Sequence, residues 1–151
     1  MTSAKKSSNF WETLSLGQMT KEQWEALCDG CGRCCLHKFE DQDTEKIFFT
    51  DVACRYLDDD TCKCPHYESR QEYVTDCLSI HPNWGNKFNW LPSTCAYRLL
   101  HQEESLFDWH PLISGDTNSV HMAGISVRGR TFSDADVSDD ETYLHVIEWA
   151  N

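Results

Sequence analysis

The apolar positions of this chain fall into short segments, each bounded by polar or turn-forming residues. Asn9-Phe-Trp-Glu12 and Thr20-Lys-Glu-Gln23 both have the form of a capping box, so each predicts the start of a short helix. The second helix carries Trp24 and Leu27 on one face and delivers the chain to Cys28. Ile47-Phe-Phe-Thr50 reads as a short strand, and Asp58-Asp59-Asp60 as a turn. Residues 65–78 predict a helix, with Pro65 near its first turn and Tyr67, Arg70, Tyr73, Val74 and Cys77 at helical spacings. His81-Pro-Asn-Trp-Gly-Asn is loop chemistry.

Residues 91–100 predict a helix opened by Pro92 and Ser93, with Cys95 in its first turn. The positive end of the helix dipole there lowers a thiol pKa and favours thiolate. Residues 124–132 predict a strand or hairpin, and 143–149 fit helix and strand equally. There is no internal repeat and no long linker. The expectation is an α+β fold: a flexible lead over residues 1–9, then one small irregular domain over 10–151. Its short helices and few short strands are organised around a cysteine-rich metal centre.

Composition narrows the function. A chain of 151 residues buries roughly 68–70% of its unfolded surface. Six tryptophans and 40% hydrophobic residues suffice for a core, although the mean hydropathy is −0.58. A net charge of −12, with few close basic pairs, argues against nucleic acid and against an anionic membrane. The partner expected is an unidentified protein or small molecule. The N-terminus lacks the apolar core of a signal peptide, and no stretch reaches the ~18 apolar residues of a membrane span. The expected compartment is the cytoplasm, where thiols stay reduced.

Against that background the cysteines stand out. Cys28, Cys31, Cys34 and Cys35 place four thiols within eight residues, and Cys54, Cys62, Cys64, Cys77 and Cys95 bring the count to nine. An odd number of thiols without a secretory signal points to metal coordination rather than disulfides. Gly30 and Gly32 allow positive φ and let backbone N–H groups turn toward sulfur. Cys28-x2-Cys31-x2-Cys34 has the three-thiol core of a ferredoxin-type run, which favours an iron–sulfur cluster over zinc.

Adjacent Cys34 and Cys35 do not reach one tetrahedral ion without strain, so a polynuclear cluster or two nearby sites suits them better than a single zinc. The remaining ligands come from Cys54, the Cys62/Cys64 pair, Cys77 or Cys95. The bland alternative for the lone thiols is burial as small hydrophobes. His37, His66, His81, His101, His110, His121 and His145 read as structural or surface residues, and Asp41, Asp43 and Glu45 as a solvated face. No phosphate-binding loop, Ser-His-Asp order or H-E-x-x-H helix is present.

The segments Trp24-Glu-Ala-Leu-Cys-Asp-Gly-Cys-Gly-Arg-Cys-Cys-Leu-His-Lys38, Val52-Ala-Cys-Arg55, Cys62-x-Cys64 with Tyr67 and Arg70, Cys77, and Trp90-Leu-Pro-Ser-Thr-Cys-Ala-Tyr-Arg-Leu-Leu100 resemble the bacterial YcgN group. That group lies within the wider YkgJ-type CxxCxxCC family of zinc- or iron-chelating proteins. The likeness continues through Trp109-His-Pro-Leu112 and Ile125-Ser-Val-Arg128. It implies that all nine cysteines are candidate ligands. The family includes flagellin lysine N-methylases with the same cluster, which implies iron rather than zinc. No pocket for a methyl donor is evident in this shorter chain, so the activity does not carry over.

Three functions follow as expectations. The first is a cytoplasmic iron–sulfur protein serving electron transfer, redox sensing or a reaction at an open iron site. The second is a structural zinc module for interaction or regulation. The third is a thiol enzyme using Cys35 or Cys95.

Overall fold

A computed structural model describes residues 9–73, 80 and 82–150, apart from the side chains of Arg70 and Asn86. The expected α+β character is present. Among the described residues, six α-helices of four to six residues accompany three strands. The helices are α1 (Phe10–Thr13), α2 (Lys21–Ala26), α3 (Arg70–Tyr73), α4 (Ala96–His101), α5 (Pro111–Ser114) and α6 (Ser119–Met122). The strands β1 (Leu36–Glu40), β2 (Ile47–Ala53) and β3 (Phe132–Ser133) form a sheet of order β1-β2-β3. β1 and β2 run antiparallel, while β3 lies parallel to β2.

Local chemistry explains most of these elements. Thr20 caps α2 by accepting from the Gln23 N–H at 3.2 Å, and Gln23 returns the contact by accepting from the Thr20 N–H at 2.9 Å. At α1 the expected box is incomplete: Asn9 donates to the Glu12 side chain at 2.9 Å but does not cap the backbone. β2 extends past the expected Thr50 because Val52 and Ala53 are buried and both pair with β3, Ala53 also with β1. A register slip between Leu36 and Lys38 is spanned by Thr50, whose hydroxyl donates to the His37 carbonyl at 2.9 Å.

Two turns share one pattern that the linear sequence concealed. Asp41-Gln-Asp-Thr-Glu-Lys46 and Asp58-Asp-Asp-Thr-Cys-Lys63 each begin with an aspartate whose Oδ1 accepts two backbone N–H groups. In each, the fifth residue donates its N–H to the first carbonyl at 2.7 Å and takes a left-handed φ, 61° at Glu45 and 60° at Cys62. The Asp-x-Asp-Thr sequence thus places Cys62 in a conformation that most side chains avoid.

Three expectations are corrected. The helix expected over residues 65–78 does not begin at Pro65: a 3-10 turn over Tyr67–Ser69 leads into α3, and residues 74–79 lie outside the described set. Residues 124–131 hold no strand, because Gly124 and Gly129 turn the chain at φ of 74° and 70° before β3. Residues 91–95 do not join α4; the Cys95 N–H closes a turn on the Pro92 carbonyl at 3.0 Å, and Cys95 is the N-cap. The ambiguous 143–149 segment resolves as the end of a 3-10 stretch, Asp139–His145, followed by an extended strip in which Val146 bridges Thr50.

The interior consists of two apolar clusters. One is built on the sheet from Leu36, Phe49, Ala53, Val127 and Ala150; the other on the helices from Leu27, Phe88, Leu91, Ala96 and Tyr97. The cysteine run starts beside Leu27 of the second cluster and ends beside Leu36 of the first. It therefore spans the seam between them.

Candidate metal centre

The run is shaped by its glycines. Gly30 and Gly32 adopt φ of 80° and 76°, and the Gly32 carbonyl accepts the Cys35 N–H at 3.1 Å. Backbone donors turn toward sulfur as expected: the Arg33 N–H lies 3.5 Å from the Cys31 Sγ, and the Gly30 N–H acts on Cys28. Position 32 has no room for a side chain, since a Cβ there would stand 2.9 Å from the Val127 Cγ2.

Cys28, Cys31, Cys34 and Cys95 lie within electrostatic reach of one another. The charge of Cys34 acts on Cys28, Cys31 and Cys95, and that of Cys28 on Cys31 and Cys95. Burial pushes the Cys28 thiol up to about 12, with negative charge on Cys34 and Asp29 adding to it. Burial likewise raises Cys31 and Cys95. The expected dipole-lowered thiol at Cys95 is thus overturned, because loss of hydration outweighs the end of a six-residue helix. Cys34 is the exception: a hydrogen bond from Cys35 and the nearby Lys38 ammonium bring it down to about 7 despite burial. As whole residues, Cys28 and Cys34 are exposed to solvent, whereas Cys31 is buried and Cys95 half-buried.

Charged side chains flank these thiols. Asp29, only 7% exposed, accepts the Cys31 N–H on Oδ1 at 2.9 Å, while its Oδ2 has no hydrogen-bond partner. The Arg33 guanidinium, 3% exposed, donates to the Ile125 carbonyl at 2.8 Å and to Thr94 at 3.3 Å. Burial lowers its pKa, and the Cys31 and Asp29 charges act against that. Lys38 Nζ donates to the Cys34 and Leu36 carbonyls. The sequence reading overlooked Asp29 and Arg33; the signal was one acid and one base in a run otherwise made of glycine and cysteine.

Of the other thiols, Cys35 gives Cys34 a hydrogen bond. Cys62 packs in the sheet cluster behind Gly32 of the run, where Ser126 and Val127 give it hydrogen bonds. Cys54 donates its N–H to the Cys35 carbonyl at 3.0 Å across the end of the β1-β2 pair, and Cys64 is half-buried beside its turn. Cys77 lies outside the described residues.

Described histidines are engaged elsewhere. His37 contacts Asp134 at 2.9 Å, His145 contacts Asp51 at 2.8 Å, and His121 contacts Ser126 at 2.7 Å. His66 stacks on Tyr73 and His101 on Phe88. His110 is buried; its Nδ1 accepts the Leu112 N–H at 3.0 Å, so Nε2 carries the proton given to the Leu27 carbonyl at 2.7 Å. Among the described residues, no three His, Cys, Asp or Glu side chains are already drawn together tightly enough to hold an ion. The residues of the run and Cys95 nevertheless have the donor chemistry for one: soft thiol sulfurs, a buried carboxylate oxygen lacking a partner, and flanking cations.

These features define a cysteine-cluster chelating domain. The profile of the CxxCxxCC family, described as "Putative zinc- or iron-chelating domain", matches residues 27–96, a span that holds all nine cysteines. The chain is 49% identical to a UPF0260 protein of Cellvibrio japonicus, covering 93% of this chain and 95% of that one. It is 51% identical to a UPF0260 protein of Brucella melitensis biotype 2, covering 89% and 90%. A UPF0260 protein of Rhodopseudomonas palustris is 50% identical over 93% and 83% of the two chains. The chain belongs to the UPF0260 family. No solved structure matches it.

Proposed function

We propose that the chain is a cytoplasmic iron–sulfur protein in which Cys28, Cys31 and Cys34 provide three ligands and Cys95 the fourth. The observation that carries this reading is the position of Cys95. Although it lies far beyond Cys34 in the chain, the fold brings it near enough for the charges of Cys28 and Cys34 to act on it. A bound cluster would supply one-electron redox chemistry. The chain's own groups prepare the site for it. Arg33 and Lys38 offset thiolate charge, while N–H groups directed at Cys28 and Cys31 tune a reduction potential. The exposure of Cys28 and Cys34 gives a redox partner a short path to the centre.

Anaerobic isolation followed by iron, acid-labile sulfide and zinc analysis tests the proposal. The expected protein is coloured, with iron and sulfide in equal amounts. Colourless protein carrying stoichiometric zinc overturns it and leaves the structural zinc module in its place.

A further inference from the structure

We propose that Asp29 Oδ2 is a further metal ligand beside the four thiolates, so that the centre carries a carboxylate oxygen in addition to sulfur. This deepens the reading of residues 28–34 and 95 as a metal centre and rests on it. Asp29 is buried, and its two oxygens are treated differently. Oδ1 is committed to the backbone N–H of Cys31, whereas Oδ2 accepts nothing. A buried carboxylate oxygen needs a hydrogen-bond donor or a cation, and the nearby basic side chains do not supply one.

The Arg33 guanidinium is bonded to the Ile125 carbonyl and Thr94, and His110 is held between the Leu27 carbonyl and the Leu112 N–H. Lys38 is directed at the Cys34 and Leu36 carbonyls. Asp29 lies between Cys28 and Cys31 in the chain, and its Oδ1 holds the Cys31 N–H at 2.9 Å, so the orphan oxygen sits within the cysteine run itself. The charge of Asp29 also acts on Cys28, Cys31, Cys34 and Cys95. Zinc and iron both accept oxygen beside sulfur, so a ligand of this kind is compatible with either metal. It would also make one metal position more exchangeable than a thiolate does.

Cobalt(II) titrated into the anaerobic metal-free protein is the probe. Asp29→Asn retains the Oδ1 acceptor for the Cys31 N–H and removes only the carboxylate. The expected result is a shift of the cobalt d–d bands and a loss of cobalt affinity of about tenfold or more. X-ray absorption at the cobalt edge of the unaltered protein provides a second reading that needs no variant. It should give an oxygen scatterer at about 2.0–2.2 Å beside sulfur at about 2.3 Å. An all-sulfur shell, or an Asp29→Asn spectrum and affinity equal to those of the unaltered protein, overturns the assignment of Asp29 while leaving the thiol centre standing. Failure of the unaltered protein to bind cobalt through sulfur, or an unchanged spectrum in Cys28→Ser/Cys31→Ser, overturns the thiol centre itself and Asp29 with it.

Discussion

Gly32 is the position where the shape of the cysteine run is most sensitive to one methyl group. Its φ of 76° is left-handed, which costs an L-residue about 1–2 kcal/mol. A Cβ there also stands 2.9 Å from the Val127 Cγ2 and 3.2 Å from the Cys62 Cβ. Neither neighbour yields easily: Val127 is 0% exposed and β-branched, and Cys62 is pinned by its turn at φ 60°. Overpacking of that kind adds roughly 1–3 kcal/mol, so Gly32→Ala should destabilise the protein by about 2–5 kcal/mol.

Gly30 provides the control. Its φ of 80° is similar, but a Cβ there would meet nothing within 4 Å. Gly30→Ala should cost only the conformational part, about 1–2 kcal/mol. Urea unfolding of both variants, with metal content measured in parallel, separates the two contributions. Equal losses of stability would refute the packing argument and with it the claim that Val127 and Cys62 support the run from behind.

Other predictions follow from the thiols and the buried histidine. At pH 7 Cys28, Cys31 and Cys95 are protonated and Cys34 is about half ionised, so binding one zinc to all four should release about three to four protons. Calorimetry in buffers of different ionisation enthalpy measures this, and release below about two protons contradicts the ligand set. In the metal-free protein the raised thiols stabilise the fold below their ordinary value of 9.0, and that contribution is lost as pH rises toward about 12. Metal affinity should run the opposite way, rising with pH because protons compete with the metal. Urea midpoints of metal-free protein and metal titrations across pH check both signs; parallel trends would contradict them. His110→Leu leaves the Leu27 carbonyl and the Leu112 N–H without partners, a loss of about 2–4 kcal/mol in denaturant unfolding, and one below about 1 kcal/mol would refute the role given to the imidazole.

What the sequence disclosed was chiefly local chemistry. The Thr20/Gln23 box, the Asp58 turn and the positive φ at Gly30 and Gly32 each depend on residues a few positions apart. The misreadings arose where tertiary contacts decide. β2 runs on through Val52 and Ala53 because β3 pairs with both and β1 with Ala53, which an isolated apolar run does not reveal. Residues 124–131 have strand-like composition, yet the backbone turns twice at glycine while Val127 donates its N–H to the Cys31 carbonyl. In the site, the x2 spacing of Cys28, Cys31 and Cys34 was legible, but the separation of Cys62 from Cys95 was not. Both are thiols on later segments, and only the packing of Cys62 against Val127 distinguishes them. Cys95 was misjudged electrostatically because a helix end can be read from sequence and the depth of burial cannot.

The central claim, that thiols at 28, 31, 34 and 95 hold one centre, is tested most directly by metal content in two single variants prepared anaerobically. Cys95→Ser should lose most of its bound metal while Cys62→Ala retains it. Retention by Cys95→Ser together with loss in Cys62→Ala would contradict the account.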